Sequence, residues 1–214
     1  MKLAIIGATG FVGTAVLNEA LHRGYEVTAI ARNTDKITKS DEKLTKAEAD
    51  INDTAKLAEI LAGNDAVVNT FNAGWTNPNL YADFIKGSED IQKAVKESGV
   101  KRLLVVGGAG SLEIVPGVQL VDTPEFPEQW KSGATAARDY LNIIKKETDL
   151  DWTFLSPAIY LHPGKRTAVF RLNTDQPVFD ADGKSEISVE DLAVAIIDEL
   201  ESNRYIKRRF TVGY

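Results

Sequence analysis

Residues Ile5–Gly13 read IIGATGFVG, between the apolar start of the chain and a helical pattern. Glycines stand at Gly7, Gly10 and Gly13, a G-x-x-G-x-x-G spacing. Between a strand and a helix each has a physical job. Gly7 permits the tight turn out of the strand, Gly10 lets the backbone approach a diphosphate without a Cβ in the way, and Gly13 lets the helix pack close to the sheet. The helix start then offers free N–H groups and the positive end of its dipole to phosphate oxygens. The loop and first turn, with Thr9, Phe11 and Val12 beside the glycines, are therefore the candidate dinucleotide site. The alternative is a glycine-rich turn without a ligand; the strand, the helix and the near-terminal position all favour the site.

Outward from this stretch, strand and helix patterns alternate. EVTAIAR, Leu44–Ala49, DAVVNTF, KRLLVVGG and DWTFLSP read as strands, with TAVFRL and RRFTVGY as later candidates. Helices follow in the spacing of Val16, Leu17, Ala20 and Leu21, in TAKLAEILAG with Thr54 as its N-cap, and from Tyr81 to a stop at Gly99. Others run through Ala136, Tyr140 and Ile144, and through SVEDLAVAIIDEL, where Ser188 and Asp191 stand at capping-box spacing. Ser111–Pro127, with Pro116, Pro124 and Pro127, reads as a long loop, the kind of segment that binds ligands or covers sites. Such β–α alternation predicts an α/β fold with a parallel sheet covered on both faces, and ligands at the carboxyl ends of its strands.

Composition narrows the function. The 214 residues carry a net charge of −6, which argues against nonspecific nucleic-acid binding. There are no cysteines, so disulfides and thiolate catalysis are excluded, and two histidines, His22 and His162, make a histidine-rich metal site a poor expectation. No apolar run approaches the ~18 residues of a membrane span, and the start lacks signal-peptide architecture. The expectation is a cytoplasmic protein with a small-molecule substrate, no membrane, no nucleic acid and no metal, as monomer or homodimer.

The second strand ends AIARNTDK. Enzymes specific for NAD place an acid there for the adenosine ribose 2′-OH; here Arg32 occupies the place, with Lys36 nearby. A guanidinium suits a 2′-phosphate, so NADP(H) is favoured over NAD(H), unless Arg32 is a solvated surface residue. After the third strand, Asp50 is placed to accept from the adenine amino group while Ile51 covers the ring; alternatively Asp50 serves a helix start.

GATGFVG, the AIARN strand end, AD before Ile51, KRLLVVGGAG and DWTFLSP resemble the atypical short-chain dehydrogenase/reductase superfamily. GGAGSL, DTPEFP, DWTFLSP, ISVEDLAVAIIDELE and RRFTVGY are similar in particular to bacterial NADH-flavin reductases, a group near biliverdin/flavin reductases and NmrA-like NAD(P)-binding proteins. The resemblance spans nearly the whole chain. It implies an NAD(P)-binding Rossmann fold, a doubly wound parallel sheet with a small C-terminal substrate lobe. Residues 1–214 would form one domain, with substrate-side elements mainly from 111–130 and 157–190. It further implies Thr70 and Phe71 on the nicotinamide ribose side, Gly107 and Gly108 under the nicotinamide, and Ser156 and Pro157 by its carboxamide.

The superfamily's usual Tyr-x-x-x-Lys proton relay is missing. Four residues after Tyr25, Tyr81, Tyr140, Tyr160 and Tyr205 stand Ala29, Ile85, Ile144, Gly164 and Arg209, and Tyr214 ends the sequence. By position, Trp130 and Ala134 occupy the two slots, and the serine and histidine of biliverdin/flavin reductases correspond to Gly108 and Ala158. Ser111 is the nearest hydroxyl and the sole candidate proton donor; otherwise the catalytic group is unknown. A flavin needs none, since hydride goes to its N5 and solvent protonates N1. Trp75 and Trp130, with Phe71, are candidates to stack on a flat substrate, against the ordinary reading of core or lid packing. Lys165-Arg166 and Lys207-Arg208-Arg209 read as solvated basic faces. The leading expectation is an NAD(P)H-dependent reductase of free flavin or a similar flat acceptor. The alternatives are a non-catalytic NAD(P)-sensing regulator and an epimerase or dehydratase with bound cofactor.

Overall fold

The structure, a computed structural model, describes residues 1–214. In chain order the first half holds β1 (Lys2–Ile6), α1 (Phe11–His22), β2 (Glu26–Ala31), β3 (Leu44–Glu48), α2 (Thr54–Leu61), β4 (Ala66–Asn69), α3 (Leu80–Ser98) and β5 (Arg102–Val106). A hairpin of β6 (Glu113–Val115) and β7 (Val118–Gln119) leads to α4 (Glu128–Ile144) and β8 (Asp151–Ser156). Then come β9 (Tyr160–His162), β10 (Arg171–Asn173), β11 (Glu186–Ser188), α5 (Val189–Ser202) and β12 (Arg208–Gly213).

One eight-stranded sheet runs in the order β10-β12-β8-β5-β4-β1-β2-β3. All its pairings are parallel except β10 with β12 at the edge. The chain winds outward from β1 through β2 to β3, then returns to β4 on the other side of β1. That reversal is the switch point at which such sheets bind ligands.

The apolar runs form central strands because both faces of this sheet are covered, so successive side chains enter different cores. Leu3 and Ile5 of β1 pack with α1 and α5; Ala4 and Ile6 pack on the side of α2, α3 and α4. Leu104 and Leu155 join the first core, and Leu103, Val105, Trp152 and Phe154 the second. Gly99 ends α3 in the left-handed conformation at φ 81°. The architecture is the expected Rossmann-like α/β fold. No helix is long and apolar enough to cross a membrane.

Several local expectations are corrected. The Ser111–Pro127 loop contains the β6–β7 hairpin, which turns at Gly117 with φ +80° between proline-rich flanks that hide its strand pattern. Of TAVFRL only Arg171 and Leu172 enter a strand, β10, which runs on to Asn173. The N-cap of α2 is Asp53, not Thr54: its carboxylate accepts from Lys56 N–H at 3.1 Å. Ser188 does cap α5, accepting from Asp191 N–H at 3.1 Å, but the Asp191 carboxylate turns away to other partners.

Candidate functional site

The glycine loop lies at the switch point. Gly7 adopts φ +81°, open to glycine and strained for other residues, and its N–H donates to Ile30 O at 3.1 Å. Gly10 N–H donates to Gly7 O at 2.9 Å, closing the turn. A Cβ on Gly13 would lie 2.2 Å from Gly7 O and 2.8 Å from Thr70 Oγ1, so helix and strand approach as closely as backbone allows. Gly10 is the N-cap of α1 and has no side-chain cap, leaving the first-turn N–H groups to an outside partner. Thr9, Gly10 and Phe11 are exposed beside them and Val12 is half-buried. This cradle fits a dinucleotide diphosphate.

On one side of the loop, Arg32 follows β2, exposed and without an ion pair, with Lys36 in a short 3₁₀ turn beyond it. Asp50 is exposed, and its Oδ1 accepts from Asn52 N–H at 2.9 Å; the acid at the start of α2 is instead Asp53. Ile51 and Phe71 converge on α3, where a Cβ on Gly87 would lie 2.7 Å from Ile51 Cδ1 and 2.6 Å from Phe71 Cε1. Phe71 also stacks on Phe84, with centroids 5.9 Å apart. One face of its ring thus packs on Phe84, with Ile51 beside it, and the side chain is half-buried. The glycine inside α3 was the overlooked signal of this close approach.

On the other side lie the ends of β4, β5 and β8. Thr70 Oγ1 donates to Ile6 O at 2.8 Å, tying β4 to β1. A Cβ on Gly107 would overlap the Phe154 ring at 2.0 Å, so this glycine serves strand packing; Gly108 has ordinary space around it. Ser156 and Pro157 are buried in the floor beneath. Ser111 is only 1% exposed; its hydroxyl lies 3.3 Å from Ser156 Oγ and accepts from Arg209 at 3.2 Å. The candidate proton donor is therefore turned into the floor rather than presented to the crevice. Arg209, in a basic run expected to be solvated, is buried. The alternation of RRFTVG was the signal, because it sends Arg209 to the face opposite Phe210 and Val212.

The two tryptophans meet at the rim. Trp75 and Trp130 are 55% and 42% exposed and pack edge to face, centroids 4.9 Å apart at 87°. Gly133 of α4 makes room: a Cβ there would lie 2.7 Å from the Trp75 ring. No tyrosine substitutes for the missing relay from the same helix. Tyr140 is fully buried, donates to Gln92 Oε1 at 3.2 Å, and burial pushes its phenol well above the usual range.

A groove of about 540 Å³ runs from Thr9, Gly10 and Phe11 along α1 to Pro163 and Arg166. Arg166, expected on a solvated face, makes two bonds to Glu19, at 2.7 and 2.9 Å. Burial alone would raise the Glu19 carboxyl, but the Arg166 and Arg23 bonds outweigh it and hold it below the usual range. The same segment is pinned by Asp191. Its carboxylate accepts from Thr167 N–H and Ala168 N–H, both at 2.7 Å, and from Tyr214 OH at 2.7 Å. Ala168 is held at φ 56°. Burial pushes Asp191 up, and these bonds more than offset it. His22 ends α1 and is exposed; His162 Nδ1 lies 2.9 Å from Pro163 O.

Comparison with known proteins agrees with this geometry. A family model described as NAD(P)H-binding matches residues 7–203. The uncharacterized YwnB protein of Bacillus subtilis is 40% identical over 99% of this chain and 98% of its own length. A solved structure from Bacteroides thetaiotaomicron, described as a "putative epimerase", is 47% identical, with TM-score 0.93 over 100% of this chain and 96% of that one. Another, described as a "putative NADH-flavin reductase" from Streptococcus pneumoniae, is 35% identical, with TM-score 0.87 over 100% and 99%. With the uncapped glycine loop at the switch point and a family match over most of its length, this chain belongs to the NAD(P)H-binding family of Rossmann-fold proteins.

Proposed function

We propose that the chain is an NADPH-preferring oxidoreductase that reduces free flavin or a similar flat acceptor. The observation that carries the reading is the exposed Trp75–Trp130 pair, in which Trp130 holds the sequence position of the superfamily's relay tyrosine. An aromatic face at that position suits a flat ring and offers no acid to a carbonyl oxygen.

When bound, the nicotinamide supplies a hydride. The chain's own residues hold and orient. The first-turn N–H groups of α1 take the diphosphate, Arg32 pairs with the adenosine 2′-phosphate, and Asp50 and Ile51 flank the adenine. Thr70, Gly107 and Gly108 bound the nicotinamide side, with Ser156 and Pro157 in the floor beneath. The segments 111–130 and 157–190 form the substrate side of a single domain. Balance requires one proton besides the hydride, and for a flavin it comes from water. Ser111 as its source requires the floor to open, since its hydroxyl is buried against Arg209.

The "putative epimerase" name of the Bacteroides neighbour favours a second reading, a cofactor held without net consumption. A non-catalytic NAD(P) sensor is the third. An acceptor screen separates them. The purified chain with NADPH should oxidise it saturably with FMN, FAD or riboflavin, and not with simple ketones, whose developing alkoxide needs an acid. Tight NADPH binding without turnover on flavins, quinones or carbonyls overturns the reductase reading. Fast ketone reduction shows a proton donor, and Ser111→Ala is then the first variant to make.

A further inference from the structure

Arg209 stands in β12 opposite Phe154 of β8 and is 7% exposed. Its Nη1 donates to Ser111 O at 2.5 Å and to Ser111 Oγ at 3.2 Å. Its Nη2 donates to the carboxylate of Asp175, an exposed residue. Its Nε is buried with no partner, and so is the hydroxyl of Thr211, two residues along the same strand face. A buried cation with one exposed counter-charge and an orphan N–H is a costly arrangement, and an apolar side chain of similar volume would cost less. Stability alone does not account for it.

Its contacts supply another account. Ser111 closes the 3₁₀ turn Ala109–Ser111 that follows Gly107 and Gly108. The Ser111 hydroxyl lies 3.5 Å from Gly108 O and 3.3 Å from Ser156 Oγ. Because Arg209 donates to that hydroxyl, its own proton is directed to one of those two oxygens. One guanidinium thus orders the carbonyl that ends the turn, the hydroxyl on it and, through that hydroxyl, Ser156. These groups lie at the ends of β5 and β8, where the proposed reading puts the nicotinamide. We propose that Arg209 is a positioning residue for the nicotinamide half of the cofactor, acting through Ser111 without touching the ligand. The inference rests on that placement of the nicotinamide.

The test uses two ligands, NADPH and 2′-phospho-ADP-ribose, which is the same cofactor without its nicotinamide. In Arg209→Met the Kd for NADPH should rise about tenfold, the scale of one lost hydrogen bond to a charged group. The Kd for the fragment should stay within about twofold. Arg209→Lys keeps the charge but cannot span Ser111 and Asp175 together, and should fall between wild type and Arg209→Met. General loosening would weaken both ligands alike, so a split between them is what a merely structural role does not produce. If Arg209→Met does not fold, Ser111→Ala removes the hydroxyl through which Arg209 reaches Ser156, leaves the bond to the Ser111 carbonyl, and should show the same split at roughly threefold. A wild-type chain that binds both ligands, with variants that show no split, overturns this inference alone. A wild-type chain that binds neither overturns the cofactor reading and the inference with it.

Discussion

Two buried arginines, on the strands that flank β8 in one sheet, reach toward its opposite ends. At the amino-terminal end, Arg102 of β5 has a partner for every nitrogen. Nε donates to Asn203 Oδ1 at 2.9 Å, Nη1 to Thr153 Oγ1 at 2.8 Å, and Nη2 to Glu199 Oε1 at 2.8 Å. Glu199 is likewise closed, accepting from Tyr205 N–H at 3.0 Å and Arg204 N–H at 3.1 Å. Toward the carboxyl end, Arg209 holds Ser111 and leaves Nε without a partner. Around the crevice there, α1 starts without a side-chain cap, Arg32 has no ion pair, and two tryptophans lie in solvent. The difference separates a satisfied network, which makes fold, from polar and aromatic groups left open, which make a site.

The largest expected break is Gly13→Val. Its side chain would sit against the Gly7 carbonyl, forcing α1 off β1 and moving the first-turn N–H groups. NADPH titration of the folded variant should show no saturable binding; unchanged affinity contradicts the proposed loop. At the closed end, Glu199→Leu should act in the reverse sense. It strands the Arg102 charge and should cost about 3–5 kcal/mol in denaturant unfolding, while the NADPH affinity of the folded fraction stays unchanged. A loss of affinity with no loss of stability would erase the contrast between the two ends.

Arg32→Asp sharpens the contrast within the open end. Charge-assisted bonds contribute about 1.5–3 kcal/mol each, so NADPH should weaken roughly ten- to a hundredfold more than NADH. Equal losses for both cofactors remove the NADP preference. The smallest effect belongs to Asp191, between the two regimes: a satisfied carboxylate that pins the loop lining the α1 groove. Its folded pKa is lowered, so its stabilisation is present above the unfolded carboxylate range and is lost as pH falls through the folded value. Asp191→Asn should cost about 2 kcal/mol at neutral pH and shrink the acid-side loss of stability. A variant whose acid profile parallels wild type contradicts the assignment.

The central sheet was legible because its strands are buried on both faces and read as unbroken apolar runs, as in KLAII and RLLVV. The glycine loop was legible because φ and close approach dictate residue type directly. The β6–β7 hairpin was not, since two- and three-residue strands between prolines carry no periodic signal. Charged residues misled for a related reason. A basic run such as KRR looks solvated in a linear reading, but a strand turns alternate members inward, and Arg209 is one of them. Arg166 is exposed, as its basic run suggests, but its pairing with Glu19, 147 positions away, is something no local pattern reveals. Trp75 and Trp130 each stood out as a candidate to stack on a flat substrate, but nothing in the sequence says that they pack on one another in the space Gly133 leaves.

The central claim is that the open end of the sheet holds a nicotinamide cofactor and passes its hydride to a flat acceptor. NADPH deuterated at one face of C4, or at the other, tests it most directly with FMN as acceptor. The account predicts that one epimer shows a primary isotope effect and yields unlabelled NADP⁺, while the other shows none and keeps its label. Transfer from both faces alike, or no oxidation of bound NADPH by any flavin, would contradict it.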